Sequence, residues 1–330
     1  MARDHSQHTV QVFSKSGDFF DQLTKDVKNA EKSVLIQCMS FEADSVGEKL
    51  ISLLKSRPGL DRKILIDSYS KFVVNDTFLW SPAGLANQNN ALKERIALTG
   101  LLREARAEGI QISFSNPMLP FLLNYPARNH KKLVVVDNNI SYVGGLNFTE
   151  HNFAWADLMF RHKIPLLAET LTSSFQSDWN GKSTNAIHQI DDQLTVYLSG
   201  GKKNKQIFNP LMERIHQAKK VIAVSPYISW PVLDAVAQVE NNRVILPKNN
   251  NKGYVSHAHN LKRYSTVNYE FAEGEMLHMK LLILDDETVI YGSANFDTIS
   301  YLFEQEIIIE HHHPKLAGQL LSEISTLTLT

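Results

Sequence analysis

The sequence predicts an α/β protein made of two similar α-β-α halves, each a mixed sheet flanked by helices. Three observations carry that prediction. Helix-spaced apolar segments alternate with short runs suited to buried strands, as expected where helices cover a sheet. The alternation is played through twice along 330 residues, in the same order. The segment Arg128 to Asn152, RNHKKLVVVDNNISYVGGLNFTEHN, also has a second version at Leu277 to Ser300, LHMKLLILDDETVIYGSANFDTIS. The expected halves are residues 1–185 and 186–330, joined through the polar stretch Asn180 to Gln193.

Each element has its own local reason. SGDFFDQLTKDVKNAEK places Phe19, Phe20, Leu23 and Val27 at helical spacing, and SVLIQCMSF follows as a short apolar strand. In the second half KQIFNPLMERIHQAKK offers Ile207, Phe208, Leu211 and Ile215 on one helix face, and VIAVSPYIS follows it. Next come a helix-like segment and a second short strand, KILIDS at Lys63 to Ser68 and RVILPK at Arg243 to Lys248. KLVVVD and KLLILD are then short, apolar and partly β-branched, the pattern of a strand buried on both faces. The period is far too long for a solenoid repeat, so this is an internal duplication. The first half carries extra material, KFVVNDTFLWSPAGLANQNN and NPMLPFLLNYP. Two readings of it stand: buried packing elements, or apolar loops beside a site that touch lipid.

Composition narrows the function. The chain is 43% hydrophobic, enough for real cores, and 34 Lys plus Arg nearly balance 35 Asp plus Glu. A net charge of -1 supplies no global field toward nucleic acid or anionic lipid, so any such attraction is a local patch. The single Cys38 lies in an apolar run and is expected as a buried thiol, with no disulfide framework in the chain. No bilayer-length apolar run and no signal-peptide pattern is seen, which points to a cytoplasmic or peripherally membrane-associated protein.

The repeated segment carries the chemistry. Each copy reads His-x-Lys, four residues, Asp, then a Gly-Gly or Gly-Ser turn and an Asn, and the His-to-Asn spacing is 17 residues both times. One copy is a weak signal; two with matching offsets are not coincidence. Residues i and i+2 of a strand point the same way, so His130 with Lys132, and His278 with Lys280, present an imidazole beside an ammonium. That pair of pairs suits a phosphodiester. Lys132 and Lys280 supply charge to nonbridging oxygens and Asn147 and Asn295 supply amide donors to a pentavalent transition state. One histidine attacks phosphorus to give a phosphoenzyme while the other protonates the leaving alcohol. Gly144, Gly145, Gly292 and Ser293 let the backbone turn tightly beside the phosphate. No metal or organic cofactor is implied, because lysines and amides already stabilise the charge.

At these residues the chain resembles the phospholipase D superfamily, whose members build one site from two such motifs, within a chain or across a dimer. RNHKKLVVVD with GGLNFTEHN and WADLMFR is similar to the first motif of bacterial cardiolipin synthases, and YEFAEGEMLHMK with GSANFDTISYLFEQE to the second. The resemblance implies a phospholipase D-like fold, one site per monomer with no dimer required, His130 as nucleophile and His278 as acid. It also implies that acidic residues after each motif, here Asp157 and Glu306, orient a histidine, and that Asp137 and Asp285 complete the motifs by bracing the site. The implied reaction is phosphatidyl transfer or hydrolysis on a phospholipid headgroup, with an anionic, phosphatidylglycerol-like substrate and peripheral membrane contact. The alternative is a nuclease using the same chemistry, disfavoured by the neutral charge and the lack of a basic stripe with interleaved aromatics. A non-catalytic binding module is disfavoured because both motifs are complete. Thr298-Ile299 stand where many relatives have an Arg, which bears on substrate identity more than on reaction type.

Other features read more plainly. HAH at His257 to His259 lacks a carboxylate or Cys cluster at ligand spacing and reads as a polar loop. EHHHP, after the apolar run EIIIE, reads as a strand end. The Lys-rich stretches SGGKKNKQ and LPKNNNKG read as solvated loops. Trp80, Trp155, Trp179 and Trp230 read as core or site-wall aromatics.

Overall fold

The computed structural model describes residues 9–74, 77–78, 88–117, 126–249 and 259–330. Much of the two apolar insertions, with Trp80, His257 and half of LPKNNNKG, lies outside the described residues. The chain divides into two compact units: residues up to Ala154 with Met159–Lys182, and Trp155–Leu158 with Ser183–Thr330.

The first unit runs β1 (Val10–Phe13), α1 (Ser16–Lys28), β2 (Ser33–Cys38), α2 (Ser45–Lys55), β3 (Asp61–Asp67), a small β4–β5 hairpin (Val73–Val74, Thr77–Phe78) and α3 (Gln88–Ala107). It continues with β6 (Gln111–Ser115), β7 (Leu133–Val136), β8 (Ile140–Gly144), α4 (Glu150–Phe153), β9 (Met159–His162) and α5 (Pro165–Trp179). Its sheet has the order β1-β9-β8-β7-β2-β3-β6, parallel from β2 through β3 to β6 and antiparallel elsewhere. Phe19 and Leu23 of α1, Leu50 and Ile51 of α2 and Leu98 and Leu102 of α3 pack with Val34, Ile36, Ile64, Ile66, Val134 and Val136 on one sheet face. The alternate residues Leu35, Leu133 and Val135 are equally buried on the other face, where α5 packs. Burial on both faces explains why the central strands read as unbroken apolar runs. Cys38 is buried in this core, and desolvation pushes its thiol up to about 12.

The second unit repeats the plan with β11 (Leu194–Leu198), α6 (Lys205–Gln217), β12 (Lys220–Val224), α7 (Val232–Ala237), β13 (Asn241–Pro247) and β14 (Tyr269–Ala272). Then come β15 (Leu281–Leu284), β16 (Thr288–Gly292), α8 (Thr298–Leu302), β17 (Ile307–His312) and α9 (Pro314–Ser325). The order β11-β17-β16-β15-β12-β13-β14 matches the first sheet strand for strand. It gains an edge strand, β10 (Ala186–Gln189), formed inside the stretch expected as a plain polar join. Ile207, Phe208, Leu211 and Ile215 of α6 and Leu233 and Val236 of α7 fill its core with Val221, Val244 and Leu282. β17 ends at His312, and His313 caps α9 by accepting the Leu316 N–H at 3.1 Å. Gly292 has a φ of +151°, and a Cβ there would stand 2.1 Å from the Ile307 carbonyl oxygen. Only glycine lets β16 and β17 close at that point.

Candidate active site

The four-residue gap between Lys and Asp in each motif is the length of one short strand, β7 or β15. His130 and Lys132, and His278 and Lys280, therefore lie just before the strand rather than on it, because the ladder to β2 or β12 begins at Leu133 or Leu281. The aspartates lie at its other end. Asp137 and Asn138 (φ 54° and 58°), and Asp285 and Asp286 (φ 53° and 59°), are the central residues of tight turns into β8 and β16. Two successive left-handed residues make the mirror-image turn that matches strand twist, and Asp and Asn tolerate it. The Asp137 carboxylate accepts the backbone N–H groups of Glu31, Lys32 and Ser33 at 2.7–2.9 Å, and Asp285 accepts those of Lys219 and Lys220 at 2.8 Å. Burial acts to raise the Asp137 pKa, but these donors outweigh it and hold the carboxyl below its ordinary range. A strand of this length separates motif Asp from motif Lys by roughly 16 Å. The bracing expected of the aspartates thus acts at the start of β2 and β12, far from any phosphate held by His and Lys.

In the second unit the histidine is fixed on several sides. The segment Trp155–Leu158 pairs as an isolated parallel bridge, Ala156 with Leu277, and the His278 N–H donates to the Ala156 carbonyl at 2.8 Å. This delivers Asp157, whose Oδ2 lies 2.6 Å from His278 Nδ1 and 3.4 Å from Lys280 Nζ. Lys280 Nζ also stands 2.7 Å from Nδ1 and bonds the His278 carbonyl. Of the two neighbours of Nδ1, only the carboxylate accepts, so Nδ1 carries a proton toward Asp157. Burial works to raise the Asp157 pKa, yet Lys280, His278 and their hydrogen bonds hold it below the ordinary carboxylate value. The Trp155 ring lies 4.7 Å and the Tyr227 ring 6.4 Å from the imidazole, centroid to centroid.

Glu306 is also buried. Its carboxylate accepts the hydroxyls of Ser293 and, at 2.9 Å, of Ser300. Ser293 therefore supports Glu306 and also takes the Ile307 N–H at 3.0 Å. Asn295 is buried, its carbonyl accepting Ser225 Oγ at 2.6 Å, while its side-chain Oδ1 has no partner among the described residues.

In the first unit Lys132 Nζ donates to the His130 carbonyl at 2.8 Å, as Lys280 does to His278. Gly145 is buried directly after β8. Asn147 closes the end of β2. Its Oδ1 accepts the Met39 and Ser40 N–H groups at 3.1 and 3.2 Å and its amide donates to Asn152 at 2.7 Å, leaving one amide hydrogen uncommitted in those bonds.

Sequence reasoning missed a buried polar network around His130. Asp67, at the carboxyl end of β3, accepts the Asn129 N–H at 2.7 Å and lies 3.7 Å from the Arg128 guanidinium. Burial raises its carboxyl to about 6, against the pull of Arg128 and its hydrogen bonds. Lys131 forms a buried pair with Asp178 of α5 at 2.8 Å, and Gln37 ties Asp178 to Asn129 at 2.7 and 2.8 Å. The available signals were a lysine within a motif flanked by apolar strands and an aspartate at the carboxyl end of a parallel strand.

Comparison with known proteins identifies relatives of the chain. Over 335 residues the chain is 26% identical to a cardiolipin synthase of Listeria monocytogenes, covering 90% of this chain and 64% of the relative. It is 24% identical to the major cardiolipin synthase of Bacillus subtilis, covering 96% and 68%. The chain thus spans about two thirds of the length of these relatives. Among solved structures, the phosphatidylserine synthase of Haemophilus influenzae shares the fold with a TM-score of 0.71 at 13% identity, over 97% of this chain and 87% of that one. The polyphosphate kinase of Porphyromonas gingivalis does so at 0.63 and 12%, over 96% and 49%. The family model of the cardiolipin synthase, PLD-like domain matches residues 23–179 and 211–328, and the chain belongs to that family.

Proposed function

We propose that the chain is a phosphatidyltransferase of the phospholipase D type, exchanging the alcohol of a phospholipid headgroup through a phosphohistidine on His130. The observation that carries this reading is His278, its Nδ1 bonded to a buried, ionised Asp157 and its carbonyl bonded to Lys280. A carboxylate on one ring nitrogen fixes the tautomer and stabilises the imidazolium, the state an acid needs before it donates. The duplicated motifs and the cardiolipin synthase relatives support the phospholipid as substrate.

The proposed steps balance. The His130 imidazole attacks phosphorus and the bond to the headgroup oxygen breaks. His278 gives its proton to that oxygen, releasing the free alcohol. An acceptor alcohol then loses its proton to His278 and attacks phosphorus, and the bond to His130 breaks. Lys132, Lys280, Asn147 and Asn295 hold the nonbridging oxygens throughout. Glu306 orients a histidine in this scheme, as the family resemblance implies. The substrate is an anionic, phosphatidylglycerol-like lipid met by peripheral membrane contact.

The test is mass spectrometry of products after incubation with phosphatidylglycerol vesicles, with the His130→Ala/His278→Ala double variant as blank. Cardiolipin with free glycerol is expected. Phosphatidic acid instead makes water the acceptor and the enzyme a hydrolase. No lipid turnover, with cleavage of DNA or RNA, overturns the reading in favour of a nuclease.

A further inference from the structure

The short helix α8 leaves apolar side chains in solvent. Surface helices place apolar residues inward and polar ones outward. Here Tyr301 packs against the core, but beside it the inward place goes to a polar residue: Ser300 is fully buried with its hydroxyl on Glu306, and Asp297 caps the helix by accepting the Ser300 N–H at 2.8 Å. Ile299 and Leu302 of the helix, with Phe303 directly after it, stand 37–39% exposed. Trp230 extends the patch. It is 39% exposed, its carbonyl accepts the Thr298 hydroxyl at 2.7 Å, and its ring lies 5.2 Å from Tyr301. The equivalent helix of the first unit, α4, also buries a polar residue, Asn152, but its exposed residue is the charged Glu150 rather than an apolar one.

A basic loop abuts this patch. Asn204 donates to the Ser300 and Glu304 carbonyls at 2.8 Å, and a Cβ on Gly201 would stand 2.8 Å from the Phe303 carbonyl oxygen. Between and beside them Lys202, Lys203 and Lys205 are exposed. Solvated loop was the plain reading of SGGKKNKQ, and against the apolar patch it acquires a second meaning. Aliphatic and aromatic side chains next to lysines are the composition of surfaces that sit at the boundary of an anionic bilayer. A net charge of -1 makes such a patch the place where attraction to anionic lipid must be concentrated.

We propose that the outer face of α8 with Trp230, bordered by Lys202, Lys203 and Lys205, is the surface that docks this protein on an anionic lipid bilayer. The inference deepens the phospholipid reading by naming the contact surface. The inward face of the same short helix holds Glu306, so docking places the membrane one helix thickness from a proposed site carboxylate.

The test is co-sedimentation of the full chain with phosphatidylcholine vesicles and with mixed phosphatidylcholine/phosphatidylglycerol vesicles, alongside cleavage of a monodisperse short-chain phosphodiester. Wild type is expected to pellet with the mixed vesicles, and Trp230 fluorescence to be quenched by brominated acyl chains, read against Trp230→Phe. The double variant Leu302→Ser, Phe303→Ser is expected to lose about tenfold or more in partitioning, while keeping its melting temperature and its rate on the soluble substrate. Replacing the three lysines with Gln is expected to abolish the preference for phosphatidylglycerol and its salt dependence. Equal partitioning of wild type and the double variant overturns the proposal. So does a wild-type dimer that the double variant turns into a monomer, since the patch then covers a second copy. Vesicle binding at this surface without lipid turnover leaves docking standing and removes the phosphatidyltransferase reading instead.

Discussion

Asp157 and Asp137 are both carboxylates near the first motif, and their surroundings give them opposite tasks. Asp157 is buried and touches His278 and Lys280, so Asp157→Asn keeps the shape but removes the charge that fixes the imidazole. The expected result is a fall in kcat of about 10²- to 10⁴-fold with KM little changed. The pH dependence has a definite sign. Its folded pKa lies below the unfolded value of 3.8, so its stabilising contribution is present above that value and lost as pH falls through the folded pKa. In urea titrations the stability gap between wild type and Asp157→Asn should therefore shrink below about pH 4. Asp137 holds three backbone N–H groups at the far end of β7. Asp137→Ala should lower stability by about 2 kcal/mol, since two of those donors are exposed and regain water. Turnover per folded molecule should stay within about threefold of wild type; a loss as large as that of Asp157→Asn would place Asp137 in the chemistry instead.

At the scale of elements, the duplication is an internal control on what each strand needs. β2 carries Gln37 where β12 carries Val224, since each pairs with the first residue of the motif strand, Leu133 or Leu281. The motif partners differ in the same sense: Asn129 and Lys131 against Leu277 and Met279. β3 ends in Asp67 and β13 in Pro247. The second unit thus closes with apolar groups what the first closes with a buried ion pair. Breaking such a pair on one side leaves an uncompensated buried charge, whereas removing both partners does not. Lys131→Met should cost about 3–5 kcal/mol in denaturant unfolding, and Lys131→Met with Asp178→Leu should recover most of it. A double variant no more stable than the single would show that the charges are not the reason for the pair.

For the whole molecule, the two sheets share one strand order although the sequences of their helices and loops have diverged widely. What persisted is the apolar alternation and the motif turn. What diverged is the outside: the added β10, the material around β4, β5 and α3, and the exposed apolar residues of α8. Among the described residues no helix is long and apolar enough to cross a membrane. In the proposed function, the outer surface of α8 with its neighbouring lysines is assigned a part in the encounter with lipid. A variant lacking the α8 apolar face should separate this contribution from catalysis, because it alters where the protein sits and not the histidines.

The sequence by itself determined the α/β class, the duplication and the His, Lys, Asp and Asn of each motif, because periodicity and spacing are local properties of a chain. The resemblance to the phospholipase D superfamily, not the spacing, pointed to Asp157 and Glu306 as the acidic residues after the motifs. The sequence could not tell which histidine Asp157 serves: that carboxylate follows the first motif yet bonds the histidine of the second, 121 residues away. Nor could it show the network of Asp67, Asn129, Lys131 and Asp178, whose members are scattered along the chain and read singly as ordinary polar residues. The outward apolar face of α8 was equally hidden, since Ile299, Leu302 and Phe303 look like core residues until burial assigns the inside of the helix to Ser300. Periodicity says that a helix has an apolar side; only the packed tertiary structure decides which side meets the protein, because that depends on what the rest of the chain brings to it.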